Sequence, residues 1–131
     1  MNKAAQFLAD CGTFYIATVE KDQPRVRPFG AVVEWDGKTY ICTNNKKEVF
    51  AQIKENPKVE ISGMNKTGNW IRISGKLAAD PRREAKEAML NAYPSLTKMY
   101  SLDDGIYEVL YFTEGTATIY SFGGEPEVFN L

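Results

Sequence analysis

A chain of 131 residues, 44% hydrophobic and 25% charged, suits one domain whose core is large enough to fold without disulfides or a metal. Its formal net charge of -1 offers no basic excess for a general nucleic-acid binder or for a membrane surface. It has no histidine, which excludes Ser-His-Asp and Cys-His catalysis, histidine-bound zinc and histidine-ligated haem, and leaves a bound cofactor as an attractive source of chemistry.

The N-terminal MNKAAQFLADCG lacks the long apolar core of a signal peptide, and no segment approaches the roughly 20 apolar residues that span a bilayer. The expectation is a soluble cytoplasmic protein with no membrane partner. Cys11 and Cys42 have no ligand-like spacing and lie among apolar neighbours, so they read as small buried thiols.

In chain order, residues 2 to 11 read as a helix, with Asn2 as N-cap, Ala4, Phe7, Leu8 and Cys11 on one face, and Gly12 as the stop. It should lie as a lid on a sheet. Residues 13 to 20, TFYIATVE, read as a strand buried on much of both faces. Residues 25 to 35 and 38 to 43 are the second and third strands, joined by a hairpin at Asp36-Gly37. Pro28 cannot donate to a ladder, so the backbone near it should be irregular and open to a ligand.

Residues 46 to 55, KKEVFAQIKE, predict a helix with Val49, Phe50 and Ile53 on its apolar stripe, ended by Asn56-Pro57. KVEISGM and NWIRISGKLAA are strands around the turn-rich NKTGN. Asp80 and Pro81 read as N-cap and first residue of a helix from about 81 to 92, whose charged residues Arg82, Arg83, Glu84, Lys86 and Glu87 form a solvated face. Residues 93 to 104 read as a loop with a helical turn, and Asp103-Asp104 before Gly105 as a turn rather than an acid/base pair. IYEVLYF and ATIYSF predict two last strands around TEGT, and GGEPEVFNL a tail over the surface or a partner. The result is a mainly β protein with flanking helices, best matched by a small antiparallel barrel; an open seven-strand sandwich fits less well.

One stretch concentrates candidate chemistry. RVRPFGAVVEWDGKTYICTNNKK carries Arg25 and Arg27 on one strand and brings Thr43, Asn44, Asn45, Lys46 and Lys47 to a helix start. Cations, a hydroxyl and helix-start amides suit a phosphate. Taken alone, the same residues also read as ordinary solvated surface.

Through YICTNNKKEVFAQIKENPKVEI and WIRISGKL, this stretch resembles the pyridoxamine 5′-phosphate oxidase-like family of FMN-binding split barrels, most closely its short, general-stress-protein-like members. The resemblance implies a split antiparallel β-barrel over residues 1 to 131, with FMN held at a homodimer interface. Arg27 stands where the family has an arginine that meets the flavin phosphate, and Val26, Pro28 and Phe29 correspond to backbone along the flavin. Thr43 and Asn44 match the family's Thr-Asn pair, Lys46 and Lys47 stand close to its basic cluster, and Arg25 is a further candidate. Trp70 and Arg72 lie on the strand that reaches the cofactor across the dimer.

Val32 replaces a substrate-binding lysine, and the oxidase's C-terminal Arg-Trp motif is not visible, so pyridoxamine phosphate oxidation is not expected. The reading is an FMN-dependent oxidoreductase acting on an unidentified small molecule, with NAD(P)H as a candidate donor and no residue assignable as catalytic acid or base. A deazaflavin stays open as cofactor. The alternatives are a non-catalytic flavin-binding or storage protein and, against the charge balance, an oligonucleotide-binding barrel using Arg25, Arg27, Phe29 and Trp70.

Overall fold

Asp36 and Gly37 both take positive φ (52° and 72°), so the two-residue turn matches the twist of the strands it joins, β3 (Val32–Trp35) and β4 (Lys38–Asn44). The structure is a computed structural model that describes residues 1–131. Its remaining strands are β1 (Phe14–Glu20), β2 (Gln23–Phe29), β5 (Lys58–Met64), β6 (Trp70–Asp80), β7 (Tyr107–Tyr120) and β8 (Glu127–Asn130), with helices α1 (Lys3–Cys11), α2 (Glu48–Glu55) and α3 (Arg83–Ala92) and a 3-10 turn over Pro94–Lys98. All pairings are antiparallel, in the order β2-β1-β5-β6-β7-β4-β3, with β8 on the free side of β7.

Strands β2 and β3 are consecutive in the chain yet occupy opposite ends of this order, with only Gly30 and Ala31 between them. Three peptide steps span at most about 11 Å, so the sheet must curl until its edges almost meet. Helix α1 touches both β3 and β5, as a lid over a curled sheet requires. Asn2 caps it by accepting the Ala5 N–H at 2.8 Å. Phe14, Ile16, Ile41, Ile61, Ile71, Ile73 and Leu110 fill the barrel with Leu8 of α1 and Phe50 and Ile53 of α2. A second cluster, including Tyr40, Met89, Tyr107 and Val109, lies under α3 on the other face of β4 and β7.

Several expectations need correction. The strand expected over 25 to 35 is two strands, because the chain crosses from one sheet edge to the other at Gly30-Ala31. The two strands expected around TEGT are one strand of 14 residues, β7. Gly75 and Gly115 face each other there, and a Cβ on Gly75 would meet the Glu114 carbonyl oxygen and come within 2.8 Å of Phe112. Without side chains at that point, β6 and β7 pass a bulge at Lys76/Leu77 and stay paired. The tail is strand β8, which pairs with the second half of β7.

Helix α2 begins at Glu48 rather than Lys46, because the Asn44 side chain accepts the Lys46 N–H at 3.0 Å and holds the chain in a turn. Helix α3 begins at Arg83, since Asp80 ends β6 and is used differently. Its buried carboxylate accepts from the Tyr40 hydroxyl at 2.6 Å, the Arg82 N–H at 2.9 Å and the Arg82 guanidinium at 2.9 to 3.2 Å. Arg82 also lies 4.6 Å from the centre of the Trp35 ring and reaches Asp36, so one network ties the hairpin to α3.

Burial opposes ionisation of Asp80, but the Arg82 and Tyr40 hydrogen bonds outweigh it and lower the carboxyl to about 2 from an ordinary 3.8. A lowered folded-state value stabilises the fold fully above pH 3.8, and that contribution is lost as pH falls toward 2. The stabilisation involved is about 2 kcal/mol. Asp80→Asn is predicted to lose a similar amount at pH 7 and to flatten the acid limb of stability against pH between 4 and 2, measured by urea denaturation.

Candidate functional site

The link that closes the barrel also lines a pocket of about 300 Å³. One wall is Pro28, Phe29, Gly30 and Ala31; Cys42, Thr43 and Lys47 come from the end of β4 and the turn into α2; Tyr93, Ser95, Leu96, Met99 and Tyr100 come from the segment after α3. Alternation along β4 turns Ile41 and Thr43 toward the barrel and Tyr40 and Cys42 toward the α3 side. Thr43 is only 3% exposed, and its hydroxyl has no hydrogen-bond partner. A buried hydroxyl without a partner costs about 1 to 3 kcal/mol; the other buried side-chain atom without one is Gln52 Nε2, on the residue that accepts from Arg27.

Lys46 and Lys47 are exposed and form no ion pair. Lys47 is the N-cap residue of α2, and no side chain caps that helix. Its positive N-terminal end therefore opens beside Thr43 and a lysine. Burial pushes the Cys42 thiol up to about 11, with the Lys47 charge opposing, so this cysteine is neutral at pH 7. Both cysteines are free and half-buried, Cys11 as the last residue of α1 and Cys42 in the lining of the pocket.

Arg27 faces the barrel end rather than this pocket. Its guanidinium donates to the Thr18 hydroxyl at 2.7 Å, to Gln52 Oε1 at 2.8 Å and to the Ile16 carbonyl at 3.3 Å, tying β2 and β1 to α2. Burial lowers its pKa while Glu48, at the α2 start, raises it. Its Nε makes no hydrogen bond within the chain. Arg25 pairs with Glu20 on the surface at 3.0 Å, and Val26 is exposed on the outer face. Pro28 and Phe29 line the pocket.

The Asn44 amide is committed within the chain, accepting from Lys46 N–H and donating to the Tyr100 hydroxyl at 3.0 Å. It positions the lysine turn and the far wall together. Trp70 and Arg72 lie elsewhere in the single chain: Trp70 stacks on Tyr120 at 4.1 Å, and Arg72 lies over both rings at 5.5 and 5.4 Å.

Residues 93 to 104 read as a loop with a helical turn, and that turn is the 3-10 segment Pro94–Lys98; its place as a wall of the pocket was not foreseen. The signal was the run Tyr93, Leu96, Met99, Tyr100, whose spacing of three to four residues marks one face of a helical turn. The Tyr93 hydroxyl accepts from the Val32 N–H at 3.3 Å and donates to the Val32 carbonyl at 3.1 Å, which fixes this wall to the strand that follows the link.

Residues 1–110 match the family model described as pyridoxamine 5′-phosphate oxidase. The chain belongs to that family. No curated protein matches the sequence. The chain is similar to a NimC/NimA family protein from Clostridium acetobutylicum, at 63% identity over 98% of this chain and 90% of that one, with a TM-score of 0.97. It shares its fold with General Stress Protein 26 from Bacillus anthracis, at 19% identity over 96% and 94% of the two chains, TM-score 0.75. Other members of the fold, at 12 to 13% identity, carry names that specify FMN binding, FAD binding or heme binding. The mainly β split-barrel architecture expected for the pyridoxamine 5′-phosphate oxidase family is the one observed.

Thr43→Val removes the unpartnered hydroxyl while keeping its shape. In the ligand-free protein it is predicted to leave stability unchanged or raise it by up to about 1 kcal/mol. Chemical denaturation checks this, and a loss above about 1 kcal/mol would mean that the hydroxyl is bonded within the fold.

Proposed function

We propose that this protein is a flavoprotein that holds FMN with its phosphate at the Lys47–Thr43 end of the pocket. The observation that carries the reading is the buried, unpartnered Thr43 hydroxyl beside an unpaired lysine and an uncapped helix start. These are donors with no acceptor in the chain, and a phosphate supplies acceptors and charge together. A name that specifies FMN binding in the same fold supports the choice of ligand.

Lys47 would act as the phosphate's point charge and Arg27, through its free Nε, as a second cation from the barrel end. Lys46 would add to the field, with Asn44 orienting the turn that carries both lysines. The link Pro28–Ala31 would lie along the ring system, with Phe29 excluding water. When bound, the flavin would supply hydride or electron transfer, and the protein orientation and electrostatics. The substrate would be a small molecule, with NAD(P)H a candidate donor.

A homodimer belongs to the same proposal. Tyr15, Val26, Met64 and Val128 are large side chains 49 to 67% exposed on outer strand positions, an apolar face that a second copy would cover. Trp70 and Arg72 share that face through Ser62, which pairs with both Tyr15 and Arg72. They would then reach the partner's cofactor.

Titration of the ligand-free protein with FMN and with riboflavin, which lacks the phosphate, tests the reading. FMN is expected to bind at least about tenfold more tightly, and Lys47→Ala or Arg27→Ala to weaken FMN about tenfold to a hundredfold. Equal affinity for the two flavins, or a colourless protein that takes up neither, would overturn it. Bleaching of the bound flavin by NAD(P)H under anaerobic conditions would separate an enzyme from a storage protein.

A further inference from the structure

Charge is distributed unevenly around the pocket. Of its twelve lining residues only Lys47 is charged, and it lies at the end assigned above to the cofactor phosphate. The far wall presents Tyr93, Leu96, Met99 and Tyr100 and carries no cation; Lys98, on the same turn, is exposed and outside the lining. Of the wall's hydroxyls, Tyr93 is engaged by both backbone groups of Val32 and Tyr100 accepts from Asn44, which leaves the Tyr100 O–H and the exposed Ser95 hydroxyl as neutral donors. The Tyr100 ring stacks on Tyr107 at 5.2 Å and 19°, which makes this part of the wall rigid and flat. Met99, 64% exposed, stands where the wall meets solvent.

We propose that the second ligand of this site, the molecule placed between the flavin and the Tyr93–Tyr100 wall, is a flat, uncharged organic compound and not a phosphate, sulfonate or carboxylate. The inference rests on the flavin reading and extends it to the substrate class. An anion on this wall would give up water and find neutral hydroxyls but no cation there, whereas an uncharged ring would meet aromatic and thioether surface. Met99 is the specificity-determining position, because a cation there would stand at the edge of the wall.

The test is calorimetric titration of the FMN-loaded protein with two compounds that share one ring system, 1,4-naphthoquinone and its 2-sulfonate. The neutral quinone is expected to bind saturably and at least about tenfold more tightly than the sulfonate. Met99→Lys, at an exposed position that does not support the core, is expected to tighten sulfonate binding at least about tenfold. Equal or tighter binding of the sulfonate to the unaltered protein, saturable binding of neither compound, or no gain from Met99→Lys would each overturn the inference while leaving the flavin reading in place. Failure of FMN to load would show first, in the preparation, and would overturn both.

Discussion

The two-residue link Gly30-Ala31 is the constraint on which this molecule depends. It joins strands at opposite ends of the sheet order, and its short reach obliges the sheet to curl into a nearly closed barrel. Hydrophobic burial then fills the enclosed space from β1, β4, β5, β6 and β7, with α1 and α2 closing what the strands leave open. Closure is incomplete because β2 and β3 are linked in sequence without being paired. The pocket lies along that split, lined by the link itself.

This placement explains why the candidate ligand groups converge. The hairpin at Asp36-Gly37 returns the chain along β3 so that β4 ends beside the split, where the turn after Thr43 opens α2 toward the pocket. Asn44 and Tyr93 fasten the two walls, one through Tyr100 and Lys46, the other through Val32. The site is thus held by backbone and neutral hydrogen bonds, leaving its one lining cation free. The Asp80–Arg82–Tyr40 network lies on the α3 side of β4, nearer the strand's start, and keeps α3, and with it the far wall, in position.

The sequence was most legible where one residue type has one local consequence. Asn2 capped its helix, Asp36-Gly37 made its turn, and alternation assigned the faces of β5 and β6, whereas β1, expected to be buried on much of both faces, buries one and leaves Tyr15 49% exposed on the other. It was least legible where tertiary pairing decides. TEGT looks like a turn, yet facing glycines let β7 run through it. GGEPEVFNL looks like a tail, yet the free side of β7 pairs with it. Arg27 and Thr43 were singled out from the family's pattern, but that they approach from different directions, one from the barrel end and one from the split, follows only from strand facing. The helical turn within residues 93 to 104 was legible, but its packing beside the split was not, because a five-residue 3-10 turn carries too short a pattern to name its partner strand.

The central claim is that an anion belongs where Thr43, Lys47 and the start of α2 meet. A crystal structure of the protein grown with FMN tests it most directly. The account predicts the flavin phosphate within hydrogen-bond distance of the Thr43 hydroxyl and of Lys47 Nζ, with the ring system along Pro28–Ala31. A phosphate bound at another part of the surface, with the Thr43 hydroxyl still unpartnered, would contradict it.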